Sequence, residues 1–131
     1  KSVDRKDFVN EKKRAYMDRA VLIGYGSQIS APHIHASGLE LLATFARKGA
    51  HILDIGSGSG YISTCLARMG CSKVTGVEHV ADLVKQSKQN ISANHKELLE
   101  TKQVKIICAD ARKLVGPEGC SFDAIHCGAV T

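Results

Sequence analysis

Hydrophobic positions along the chain alternate between short β-branched runs and longer stretches of helical period. His51-Ile52-Leu53-Asp54-Ile55 is a compact apolar run that ends at once in Gly56-Ser57-Gly58-Ser59-Gly60. That combination predicts a buried strand followed by a glycine turn. Tyr61 to Met69 then carries Ile62, Leu66 and Met69 at helical spacing, closes at Gly70 and gives way to the strand-like Lys73-Val74-Thr75-Gly76-Val77. Val80, Leu83, Val84, Ser87 and Ile91 share one face of a further helix. Val104-Lys105-Ile106-Ile107-Cys108 predicts a third strand, and Phe122 to Cys127 a fourth.

The first third of the chain is patterned more weakly. Ser2 to Tyr16 is polar with scattered apolar positions (Val3, Phe8, Val9, Ala15, Tyr16), which predicts a short helix and then loop. Val21 to Ile29 is a brief apolar run punctuated by Gly24 and Gly26. Ser30-Ala31-Pro32 signals a helix start, because a serine can cap free amides and a proline in the first turn removes no needed donor. Ile34, Gly38, Leu41, Leu42 and Phe45 place an apolar face on a helix from about His33 to Arg47, stopped by Gly49.

Strands separated by helices of this length imply parallel pairing through right-handed crossovers, so the expected fold class is α/β with a doubly wound, mostly parallel sheet. Ligands of such sheets bind at the carboxyl ends of the strands. A chain of 131 residues with 44% apolar residues suits one domain with a real core. Its expected layout is an N-terminal helical and loop segment over about 1–48 and an α/β core over about 49–131.

Charge and cysteine content narrow the partners. Lys and Arg total 18 against 13 Asp and Glu, a net charge of +5. The basic residues cluster near the start (Lys1, Arg5, Lys6, Lys12, Lys13, Arg14, Arg19) and around Lys85 to Lys105, interleaved with acids, as solvated faces do; no nucleic-acid partner is expected. Cys65, Cys71, Cys108, Cys120 and Cys127 form no C-x-x-C pair, which argues against a disulfide framework or a zinc site. Cys108 and Cys127 sit in apolar runs as small buried hydrophobes, and a reducing, cytoplasmic setting fits. His33 and His35 stand two apart on a helix, where they point different ways, so no metal is expected. No apolar stretch approaches the ~20 residues of a membrane helix, and no export signal opens the chain. It begins on Lys rather than Met, as a piece of a longer product would.

The chemistry concentrates in Asp54-Ile55-Gly56-Ser57-Gly58-Ser59-Gly60, with Glu78 eighteen residues after Gly60. Glycine allows close backbone approach, and a carboxylate after the second strand suits the two hydroxyls of a ribose. A nicotinamide fingerprint would place a glycine or alanine at position 61, where Tyr61 would obstruct a pyrophosphate, and Asp54 would repel one. No Gly-Lys-Ser/Thr follows, which excludes a P-loop. The expected ligand is an adenosine without phosphates, beside which Asp54 would hold a cationic amino-acid portion indirectly. Asp110, with Ala111, follows the third strand as either a ligand contact or a turn-forming residue.

This D-x-G-x-G-x-G pattern with Glu78 resembles the first motif of the class I methyltransferases. Gly24-Tyr25-Gly26-Ser27-Gln28-Ile29-Ser30-Ala31-Pro32-His33-Ile34-His35-Ala36 is similar to the signature of the protein L-isoaspartyl (D-aspartyl) O-methyltransferase family. The similarity runs from about Phe8 through Gly128 and includes Leu39-Glu40-Leu41-Leu42, Ala67-Arg68-Met69 and Phe122-Asp123-Ala124-Ile125-His126. It implies a Rossmann-like fold, S-adenosyl-L-methionine as cofactor with S-adenosyl-L-homocysteine as product, and isoaspartyl peptides and proteins as substrates. It also implies a cofactor site of Ser27, Gln28, Ile29, Ser30, His35, Asp54, Gly56, Ser57, Gly58, Ser59, Gly60, Glu78, His79, Asp110 and Ala111. Ser30 resembles the family's active-site serine, although by position it is an ordinary helix cap. His33 would support the loop, and His126 would face the cleft or the core.

The chain departs from the family at Gln28, where threonine is usual, and at Ala111, where glycine is common. It stops after its fourth strand where the family continues, so a monomer is expected at full length, and self-association through an exposed sheet edge for the piece. Amino methylation of nucleic acid would want an Asn/Asp-Pro-Pro-Tyr/Phe motif where this chain has His126-Cys127-Gly128-Ala129. The competing readings are a cofactor-binding fragment or homologue that keeps the pocket without isoaspartyl turnover, and a methyltransferase that acts on another substrate.

Overall fold

The computed structural model describes residues 2–114 and 121–128. Cys120 and the end at Thr131 lie outside the described residues. Strands β1 (Val21–Gly24) and β2 (Ser27–Ile29) pair antiparallel as a small hairpin. Then come helix α1 (Pro32–Leu42), β3 (His51–Ile55), α2 (Tyr61–Met69), β4 (Lys73–Glu78), α3 (Ala81–Glu100), β5 (Val104–Cys108), the short α4 (Ala111–Leu114) and β6 (Ala124–Cys127).

The main sheet is parallel in the order β5-β4-β3-β6, as the alternation of strands and helices requires. The chain adds β4 and β5 on one side of β3 and then crosses to place β6 on the other. This reversal opens a crevice at the carboxyl ends of β3 and β6. Ile52, Leu53, Val74 and Ile106 are buried, and α2 and α3 contribute Leu66, Leu83, Ile91 and Leu98. Each such side chain stabilises the fold by roughly 1.5–3 kcal/mol.

Two glycines let the layers close. Gly60 opens α2 at φ +88°, and a Cβ there would lie 3.1 Å from Ile91 Cδ1 and 3.2 Å from Ser87 Cβ on α3. Gly76, inside β4, admits Ser57 and Ser63 against the sheet; a Cβ there would meet Ile106 Cδ1 at 2.6 Å.

Several expectations are corrected. The N-terminal segment forms two 3₁₀ turns, Arg5–Phe8 and Lys12–Arg14, rather than one helix, and Phe8 and Val9 are buried. It is tied to α3 by Asn94 donating to Asp7 and Gln86 donating to Asn10. Helix α1 ends at Leu42 rather than Arg47; turns follow, which bury Ala46 with its carbonyl against Gly70. Ile34, Leu41 and Phe45, expected on its buried face, are exposed, and α1 packs through His35, Leu39 and Leu42. Met69 is exposed as well. Strand β6 begins at Ala124 because Phe122 leaves the ladder to pack its ring on His51 and the Asp123 carboxylate accepts the His51 amide. Cys65 and Cys71 are buried, but Cys108 and Cys127 are exposed, since they sit at the open carboxyl ends of their strands.

Candidate functional site

Register fixes what faces the crevice. Asp54 pairs with Gly76 on one side and His126 on the other, and the glycine turn leaves the sheet one residue beyond Ile55. The hairpin and the start of α1 form the opposing wall. A cavity of about 250 Å³ reaches Ile29 and His35 on the wall and Asp54, Ser57 and Ser59 at the turn. A neighbouring one of about 490 Å³ runs toward Ser27, Glu78 and His79. Gln28, Ser30, Gly56 and Gly58 line both, so the two form one crevice with Ser30 at the junction. Gly60, Asp110 and Ala111 line neither. Gly60 serves the α2–α3 contact, whereas Asp110 accepts the Arg112 amide and pairs with the Arg112 guanidinium. Those bonds hold the Asp110 carboxyl down at about 2.

Four of the five turn amides are already engaged within the protein. Gly56 and Ser57 both donate to Val77 O, Gly60 donates to Ser57 O, and Gly58 donates to Glu78 Oε2 at 3.0 Å. A phosphate cradle needs such N–H groups pointing at the ligand, so this turn is not one. What borders the crevice instead is acidic. Glu78 is only 6% exposed, and its other oxygen accepts from the His79 and Val80 amides. Asp54 is 1% exposed, with one oxygen accepting the Ser63 hydroxyl at 2.6 Å and the other meeting His126 Nδ1 at 2.9 Å. That bond raises the His126 pKa, against the opposing effect of burial. Two carboxylates and a glycine surface fit a cationic ligand that carries hydroxyls. They suit a sulfonium nucleoside and disfavour a nucleotide phosphate.

Ser30 does not cap α1. Ala31 holds the cap position without a side-chain bond, and Asp18, fifteen residues before His33, accepts both the His33 amide and its ring nitrogen. The Ser30 hydroxyl is thus not committed to the helix end, and the expected support of the loop by His33 is this bond to Asp18. His35 turns inward, 9% exposed, with its ring 5.1 Å from that of Tyr61. Burial first, then Arg5 and His126, push its pKa down to about 4. Tyr61 is half-buried, and desolvation raises its phenol to about 12.

The sequence pattern did not single out Ile34 and Gly128, which line both cavities, nor Arg5 and Asp18, which brace the wall through Ser30 and His33. Nothing in their local pattern signals it, because an arginine or aspartate in a polar stretch reads as surface until tertiary contacts bury or engage it.

The sequence matches the family described as Protein-L-isoaspartate(D-aspartate) O-methyltransferase over residues 1–131. The protein-L-isoaspartate O-methyltransferase of Caenorhabditis elegans is 43% identical over 100% of this chain and 58% of that protein. That of Triticum aestivum is 40% identical over 98% of this chain and 56% of that protein. This chain thus spans a little over half the length of these relatives. A Plasmodium falciparum structure assigned as a protein-L-isoaspartate O-methyltransferase, in complex with S-adenosyl-L-homocysteine, superposes with a TM-score of 0.88 at 40% identity. The match covers 97% of this chain and 62% of that one.

Proposed function

The chain belongs to the protein-L-isoaspartate(D-aspartate) O-methyltransferase family, and on that premise we propose that it forms the S-adenosyl-L-methionine side of an enzyme that methylates the free α-carboxylate of isoaspartyl residues in damaged proteins. The observation that carries this is Ser30 at the junction of the two cavities, opposite Gly56 and Gly58 and within one crevice with Glu78.

In this reading Gly56 and Gly58 let the cofactor lie against the backbone, Glu78 receives the ribose hydroxyls, and Asp54 gives the crevice negative potential for the sulfonium. When bound, the cofactor supplies a methyl group that a carboxylate oxygen takes from sulfur with no proton transferred. The substrate is already a nucleophile at neutral pH, so the protein contributes alignment and exclusion of water rather than a general base. Ser30 holds the carboxylate through its hydroxyl; Ile29, Ile34 and Tyr61 border the crevice with apolar surface. Gly60, Asp110 and Ala111 act from outside the crevice wall, and Ser27, Gln28, Ser57, Ser59 and His79 complete it.

Isoaspartyl peptides and proteins are the proposed partners, without nucleic acid or membrane, and the longer protein acts as a monomer. Among the described residues no helix is long and apolar enough to cross a membrane. The cytoplasm is the proposed location, supported by the free thiols of Cys65, Cys71, Cys108 and Cys127.

The test incubates the full-length protein with methyl-labelled cofactor and an isoaspartyl peptide, with the aspartyl isomer as control. Base-labile methyl ester on the isoaspartyl peptide alone is expected. Cofactor binding by calorimetry without methylation of either peptide would overturn the substrate assignment and favour a binding module.

A further inference from the structure

Arg5 belongs to a polar N-terminal stretch, yet it is only 5% exposed. Its guanidinium reaches three parts of the chain at once. Nε donates to Ala15 O at 2.7 Å, Nη2 donates to Ser30 O at 2.7 Å, and Nη1 stands 3.0 Å from His35 Nδ1. Its carbon lies 5.8 Å from the centre of the Tyr61 ring. A guanidinium has donors and no acceptor, so His35 Nδ1 must accept. The proton of the neutral ring then sits on Nε2. His35 lines the smaller cavity, and the described residues offer Nε2 no hydrogen-bond partner.

We propose that Arg5 is a positioning residue that fixes the backbone at Ser30 and locks His35 as the Nε2–H tautomer, so that the crevice carries one fixed, uncharged donor for an acceptor on the bound ligand. This rests on the crevice being the cofactor site. The groups that face His35 are Arg5 from the N-terminal turn, Tyr61 from α2 and His126 from β6. Two of them can be cationic, which keeps the ring neutral and preserves its role as a single donor. Lysine cannot substitute, because one ammonium group lacks the planar fork that serves three acceptors in divergent directions.

The experiment combines tautomer and affinity. Long-range proton–nitrogen NMR of the chain is expected to show His35 protonated on Nε2 and bare on Nδ1, and Arg5→Gln is expected to mix the tautomers. Arg5→Lys is expected to weaken S-adenosyl-L-homocysteine binding about tenfold by calorimetry. In a His35→Ala background the same change is expected to cost clearly less than tenfold, since the His35 share of the effect is gone and only the anchor at Ser30 remains. A wild-type His35 protonated on Nδ1 overturns the proposal, as does an equal loss from Arg5→Lys in both backgrounds, which marks a merely structural residue. If the variants do not fold, the wild-type tautomer still decides. If the wild-type chain binds no S-adenosyl-L-homocysteine, the cofactor reading fails, and the role of Arg5 in presenting a ligand contact falls with it, even where the Nε2–H tautomer is found.

Discussion

Glu78 Oε2 accepts the Gly58 amide hydrogen at 3.0 Å, so the last residue of β4 holds the glycine turn that leaves β3. The other oxygen holds the His79 and Val80 amides, and one carboxylate therefore shapes both loops at the crevice floor. Glu78→Gln replaces one acceptor with a donor that faces an N–H group. It is expected to destabilise the fold by about 1–3 kcal/mol and to weaken S-adenosyl-L-homocysteine more than tenfold. Chemical denaturation and calorimetry on the same variant check both effects, and unchanged affinity would remove Glu78 from the site.

Gly76 is the position where the sheet admits the turn. A Cβ there would lie 2.6 Å from Ile106 Cδ1, 2.9 Å from Ser63 Oγ and 3.0 Å from Ser57 Cβ. Gly76→Ala is expected to cost about 1–3 kcal/mol through overpacking and to lower cofactor affinity, because Ser63 orients Asp54 and Ser57 belongs to the turn. Urea unfolding followed by calorimetry reads both; a variant as stable as wild type would show that Ile106 yields freely.

The strand-and-helix rhythm of residues 51–108 was legible because each period matched a single element: β3, α2 and β5 fall where the pattern placed them. The glycine turn and Glu78 were legible because positive φ and a carboxylate at a strand end leave marks in residue type. The apolar face of α1 was misread, since periodicity shows that a helix is amphipathic but not which neighbour covers it; Leu41 is 79% exposed. The cap was misread for a related reason. Ser30 satisfied the local rule, but Asp18, brought in by the preceding loop, reached the amide first. Arg5 was invisible because its three partners come from Ala15, Ser30 and His35, which only the tertiary fold assembles.

His35 and His126 give stability opposite pH dependences. Folding holds His35 near 4 against an unfolded value of 6.5, so between these the unfolded chain binds the extra proton and stability rises with pH. Acidification from pH 6.5 to 5 is expected to remove up to about 2 kcal/mol from this source. His126 is raised by its bond to Asp54, so its contribution is full below 6.5 and fades as pH climbs through its higher folded value. Urea unfolding from pH 5 to 8 should show an acid limb flattened by His35→Gln and an alkaline decline flattened by His126→Gln. In Asp54→Asn, NMR titration should find the His126 pKa lowered from its wild-type position; no movement would mean that the Asp54 bond does not set it.

Ser30 and Asp18 separate helix capping from chemistry. Because Asp18 accepts the His33 amide and Ser30 makes no cap bond, Ser30→Ala is expected to change stability by less than about 0.5 kcal/mol. The same substitution in the full-length protein is expected to cut isoaspartyl methylation by about tenfold or more, the effect of losing a hydrogen bond to a charged group. Asp18→Ala should behave the other way, lowering the melting temperature while leaving cofactor affinity intact, since Asp18 lines neither cavity. Melting curves and initial rates on the two variants form a crossed test. A Ser30→Ala protein that melts early and methylates normally would return Ser30 to the role of an ordinary cap, and the substrate carboxylate would then need another partner on the crevice wall.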